Sequence, residues 1–230
     1  NALDNVLAPM DPTLDREVRE ILVTARIGML LRASFFGNLV TRLKLINADE
    51  WCATAATDGR NFYYNTRFIK MLRPREVEFL FGHEILHCIY DHFGRRGSRD
   101  PQLWNIAGDY ANNADLKKYR IGEFITSVPC LYDKKYEGMS TEEIYDDLYE
   151  NAEKIDIDQL MQQILDEHLD SDDGDTQESS GGNGGEQDGD DSGRPRVSKQ
   201  EMDQIRNDLK NAIMQAAQAS GAGDVPGGVK

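Results

Sequence analysis

The chain has 230 residues, enough for one or two domains, and a net charge of −15, which sets it against polyanions and excludes nucleic acid as a partner. No stretch approaches the roughly 20 apolar residues of a membrane span, so no membrane partner is expected, and the N-terminus lacks the basic-then-apolar layout of a secretion signal. The three cysteines, Cys52, Cys88 and Cys130, are odd in number, widely spaced and without a Cys-x-x-Cys pair, which excludes a disulfide framework or thiolate zinc knuckle and fits a reducing, cytoplasmic setting.

Residues 14–33 place apolar side chains at helical spacing, with acidic residues early and arginines late, and predict a helix whose charges complement its dipole. Strand-like pieces follow around Trp51 to Thr54 and Phe62 to Tyr64, joined through Asp58-Gly59, a dipeptide that tolerates positive φ; a hairpin or meander is expected there. Pro74 suits a first helical turn, and the text from Arg75 to His92 reads as one continuous helix. A second helix is expected from Pro101 or Gln102 to about Leu116. Ser140 and Glu143 form a capping box that opens a third, amphipathic helix running to about Lys154.

Residues 166–197 are rich in Asp, Gly and Ser with almost nothing to bury, so a solvated, disordered acidic linker is expected. Asp170, Asp172, Asp173 and Asp175 crowd within it but lack the spacing and closing glutamate of an EF-hand. Beyond it, residues 198–220 have the composition of a helix, stopped by Gly221 and Gly223. The expected organisation is a folded domain over 1–165, the linker over 166–197, and a C-terminal helix with a Gly-rich tail over 198–230. The fold class is α+β, mainly helical, with a small sheet or hairpin before the helix of residues 75–92. A start without Met and an end at Val229-Lys230 suggest a piece of a longer protein.

That helix carries His83-Glu84-x-x-His87, and with His92 it holds three of the four histidines. Positions four apart share a helix face, so His83 and His87 can hold one zinc ion while Glu84 stands beside it as the general base for a water. The surrounding FLFGHEILHCIY is apolar around its circumference and must be buried, where an ionised Glu and two imidazoles need a compensating partner. His92, nine residues after His83, points away from this face on a continuous helix, and the glycine that would swing a third histidine back lies beyond it, at Gly94. His92 is therefore expected to pack or to support a ligand.

For the third ligand, Asn105, Asp109 and Asn113 share one face of the helix over 101–116, amid Trp, Ile, Ala, Tyr and Leu, and buried polar groups need partners. In gluzincin-type zincins, a second helix about twenty residues after HExxH supplies an acidic ligand, and a polar residue one turn later orients a ligating histidine. Asp109 follows His87 by 22 residues. The match gives Asp109 the ligand role and Asn113 the orienting role, with Asn112 as its alternative. An oxyanion donor is also required; Tyr110, Tyr119, Tyr132 and Tyr136 are eligible, with Tyr136 the catalytic candidate carried forward. Arg95, Arg96 and Arg99 read as a solvated helix end.

In order along the chain, TDGRNFYYN, FGHEILHCIYDHFGRR, DPQLWNIAGDYANN and YEGMSTEEIYDDL resemble the zincin-like metallopeptidase domain that precedes a von Willebrand factor A-like domain in bacterial and phage proteins, often encoded near AAA+ ATPases. The resemblance spans about residues 15–150, and QAAQASGAGDVPGG resembles that family's bridge into the next domain. It implies a zincin-like fold, one zinc ion on His83 and His87 with Asp109 as third ligand, Glu84 as base, a protein or peptide substrate, and an AAA+ ATPase as partner in the cytoplasm of a bacterium or phage-infected host. Asn65 also matches the family pattern. The alternative is a metal-stabilised, catalytically inactive interaction module.

Overall fold

The structure is a computed structural model that describes residues 3–167, 193–221 and 225–226. The first helix, α1 (Pro12–Arg32), starts at Asp11, whose side chain accepts from the backbone N–H groups of Thr13 and Leu14, and Pro12 sits where no N–H is needed. Its buried residues Val18, Leu22, Ala25 and Met29 form one stripe. α2 (Ser34–Val40) turns back on it and buries Phe35 and Phe36.

Three strands follow: β1 (Lys44–Asn47), β2 (Ala55–Thr57) and β3 (Asn61–Tyr64), in the order β1-β3-β2. β2 and β3 make the expected hairpin. Asp58 Oδ1 accepts from the N–H groups of Arg60 and Asn61, and Gly59 takes φ 92°, a conformation open to glycine. The first strand of that hairpin starts at Ala55; Trp51 lies in a turn before it. β1 joins β3 in parallel, a pairing that gives no local turn signal.

After the short α3 (Thr66–Lys70) comes α4 (Pro74–Ile89), buried continuously from Glu76 to His87. It does not run on to His92. Asp91 adopts the left-handed conformation at φ 49°, ending the helix and opening the single turn of α5 (His92–Arg95). A short polar side chain is one of the few that tolerates this geometry. α6 (Pro101–Lys118), capped by Asp100, crosses α4 closely: a Cβ on Gly82 would lie 2.6 Å from Leu116 Cδ2.

α7 (Thr141–Glu150) begins with the expected capping box, Ser140 Oγ accepting from Glu143 N–H at 3.2 Å and Glu143 Oε2 from Ser140 N–H at 3.1 Å. The stretch to Lys154 continues as a separate 3-10 turn. α8 (Ile157–Met161) then leads the chain back over α6. α9 (Lys199–Ala219), capped by Ser198, packs on α2 and α4, adding Ala212 and Ala216 to the core of α1, α2, the sheet and α4. Arg206 holds Asp91 at 2.5 Å. A second core joins α6 and α7 around Trp104, Tyr136 and Tyr145.

The architecture is α+β and mainly helical, with the small sheet preceding the histidine helix. No helix among the described residues is long and apolar enough to cross a membrane. The expectations for residues 168–192, including the crowded aspartates, lie outside the described residues.

Candidate metal centre

One helical turn on α4 sets His83 and His87 with ring centroids 4.7 Å apart and Nε2 atoms 3.1 Å apart. From α6, Asp109 Oδ1 lies 3.3 Å from His83 Nε2 and 3.2 Å from His87 Nε2. A fourth donor closes the group: Asp166 places Oδ1 2.9 Å from His83 Nε2 and Oδ2 3.4 Å from His87 Nε2. All four residues are buried, and one ligand atom from each lies within 4.8 Å of the others. A tetrahedral ion with bonds of about 2.0–2.1 Å has ligand atoms about 3.3 Å apart. The contacts of 2.9–3.4 Å cluster around that edge length.

The outer contacts set the tautomers. Asn113 donates from Nδ2 to the Leu131 carbonyl at 2.8 Å, which turns its Oδ1 toward His83 Nδ1 at 2.8 Å. His83 Nδ1 therefore carries the proton, and its Nε2 lone pair faces the cluster. Asn112 acts on the backbone of the same residue, donating to the His83 carbonyl at 3.3 Å.

His92 does not face away, because the break at Asp91 returns it to α4, where its Nδ1 lies 2.8 Å from His87 Nδ1. Its Nε2 reaches Thr141 Oγ1 at 2.9 Å, and its carbonyl accepts from Trp104 Nε1 at 2.6 Å. A proton on His87 Nδ1, donated to His92, leaves His87 Nε2 to bind an ion.

Burial alone would discharge His83, but the carboxylates of Asp109 and Asp166 outweigh it and raise its pKa well above the ordinary 6.5. His87 is raised in the same way, against its burial, chiefly by Asp166. Burial likewise pushes Asp109 up, and the charge of His83 reverses this and lowers it. Glu84 differs. Both its carboxyl oxygens are buried and no N–H or hydroxyl group among the described residues donates to them; burial first, then the charge of Asp166 together with a carboxyl–carboxyl contact to it, raise its pKa well above the carboxylate range. A carboxyl group without a donor beside four convergent donor atoms fits a divalent ion and a water better than a self-satisfied polar core.

The hydroxyl of Tyr136, expected as an oxyanion donor, donates to Asp147 Oδ2 at 2.6 Å, and the Tyr136 ring packs 4.8 Å from Tyr110 in the second core. Asn65 caps α3 through Phe68 N–H and donates to the carbonyls of Cys52 and Val6, so it pins a loop. Arg95 pairs with Glu142, and Arg99 stacks over Trp104.

Asp166 is the residue that sequence reasoning missed. By composition it opens the acidic tract, but the structure buries it. The available signal was the apolar pair Ile164-Leu165 immediately before it, of which Leu165 joins the main core.

Neither a curated protein sequence nor a solved structure matches this chain. The sequence model of one family does match, over residues 18–230, and with that coverage the chain belongs to the family described as "Putative metallopeptidase domain".

Proposed function

We propose that the chain is a zinc-dependent metallopeptidase with a zincin-like site, in which His83, His87 and Asp109 hold one zinc ion and Glu84 is the general base. The observation that carries this reading is Glu84, buried with no N–H or hydroxyl donor to its carboxyl oxygens, one residue from a ligand on the helix that supplies both imidazoles. Two imidazoles and a carboxylate suit zinc, which when bound acidifies water and polarises a carbonyl.

The chain's own residues divide the remaining work. Asn113 and His92 hold the two imidazoles in the ligating tautomer, and Asp109 is fixed through Oδ2, which accepts from Leu165 N–H at 2.9 Å. Glu84, ionised once a cation neutralises the cluster, accepts the proton of the attacking water. It then gives that proton to the amine nitrogen as the C–N bond breaks. The substrate is a protein or peptide. An open groove of about 560 Å³ is lined by Trp51, Thr54, Asn105, Arg194 and, of the four donors, Asp166.

One observation favours a second reading. Asp166 supplies a fourth protein donor, and four protein ligands are the mark of a structural ion; the chain would then be a metal-stabilised interaction module. Glu84→Gln separates the two. On the peptidase reading it keeps the metal and lowers hydrolysis of an unstructured protein such as casein by about 10²–10⁴-fold. Hydrolysis unchanged in Glu84→Gln with metal retained removes Glu84 from the mechanism.

A further inference from the structure

The segment that brings Asp166 to the cluster runs along an edge of the sheet. In the order β1-β3-β2, β2 is an outer strand. The Thr54 carbonyl accepts from Asn65 N–H at 2.9 Å, so the carbonyl of Ala55, one residue on, faces away from β3. Glu167 takes that outward edge: its N–H donates to the Ala55 carbonyl at 2.8 Å, and its Oε1 accepts from Ala53 N–H at 3.0 Å. The carboxylate there stands in for the backbone carbonyl of an added strand.

Three consecutive residues thus bind three parts of the site. Leu165 N–H holds Asp109, Asp166 reaches both histidines, and Glu167 pairs with β2. On the far side of the acidic tract, Arg194 closes on the same place, 3.8 Å from Glu167 Oε2 and with its guanidinium 5.9 Å from the Trp51 ring centroid.

We propose that residues 165–167 are a built-in pseudosubstrate: they occupy the β2 edge that an extended peptide uses, and Asp166 takes the fourth position on the metal until it is displaced. This rests on the metallopeptidase reading. The substrate class follows from the edge: a peptide in extended conformation, held by main-chain hydrogen bonds to Ala53 and Ala55, adds a strand to β2 where Glu167 now sits.

The two aspartates differ in the way this requires. Asp109 sits in the interior of α6, whereas Asp166 belongs to no helix or strand. With Asp166 on the ion, every position is held by protein and Glu84 has no water to act on. With Asp166 withdrawn, a position opens beside Glu84, the arrangement of a catalytic rather than a structural ion.

The test uses the full chain loaded with cobalt(II), whose visible absorption reports its ligands, and acetohydroxamate as a probe for an open position. Wild type, Asp166→Ala and Glu167→Pro are compared; the last removes the N–H to Ala55 and the carboxylate on Ala53 while leaving Asp166 in place. Each is expected to hold one cobalt per chain, and both variants to bind acetohydroxamate at least about tenfold more tightly than wild type, as when an internal occupant closes the site about nine-tenths of the time. Equal affinity in wild type and both variants overturns the proposal, as does loss of cobalt from Asp166→Ala, which makes Asp166 an integral ligand. Variants that bind the probe tightly yet hydrolyse no peptide support the strap and instead sink the peptidase reading; a wild type that takes up no cobalt overturns both.

Discussion

His83 and His87 bring their Nε2 atoms within 3.1 Å of each other. Two imidazoles cannot both aim a proton across that gap, whereas a cation between them uses both lone pairs, and Asp109 already stands within 3.3 Å of each nitrogen.

Protons should compete with the metal. The carboxylates beside His83 and His87 raise their pKa values above the ordinary 6.5 in the metal-free protein, so the pair holds a proton more firmly than free imidazoles do, and an incoming ion must displace it. Apparent affinity should rise with pH until those raised values are passed, by up to about tenfold per pH unit for each proton displaced. Zinc titration calorimetry in buffers of different ionisation enthalpy measures the release directly; binding without proton release would show that the imidazoles are not the ligands.

The outer partners should matter nearly as much as the donors. Asn113→Ala removes the acceptor on His83 Nδ1, and His92→Ala removes the partner of His87 Nδ1. Each should weaken zinc binding by about 10–100-fold while leaving the circular dichroism of the fold in place. Competition with a chromophoric chelator reads the affinity, and wild-type affinity in both variants would discard the orienting role.

Removing the metal should loosen the whole core, because the cluster joins α4, α6 and the segment carrying Asp166. Free zinc at about 100 times its dissociation constant adds about 2.7 kcal/mol to the native state. For a chain of this size that is a rise in Tm of about 5–10 °C. Calorimetric scans with and without EDTA test it.

Acid should weaken the start of α4. Glu76 is buried and accepts from the N–H groups of Arg73 and Thr126 and from Ser127 Oγ; burial alone would raise its pKa, but these hydrogen bonds outweigh it and lower the value below the ordinary 4.5. A lowered carboxylate contributes stability that is present above its unfolded value and lost as pH falls through the folded one. Glu76→Gln should therefore cost about 1–3 kcal/mol at neutral pH, and the gap from wild type should close below the folded-state pKa. Urea midpoints across that range provide the comparison, and a gap independent of pH would contradict the ionised role.

The sequence by itself determined the local features of this protein. The spacing of His83, Glu84 and His87, the capping box at Ser140, the turn at Asp58-Gly59 and the polar face of α6 depend on interactions within a few residues, where helix period and cap chemistry leave little choice. Only the tertiary structure decided which distant groups meet them. His92 turned back because one left-handed residue, Asp91, broke a helix whose period alone carried it away. Asp166 lies 83 residues from His83 and opens a tract whose composition reads as solvent-exposed, yet α8 and Leu165 carry it under the sheet edge. Composition averages over a window, whereas burial of a single carboxylate is set by what packs above it, and that is a property of the assembled core.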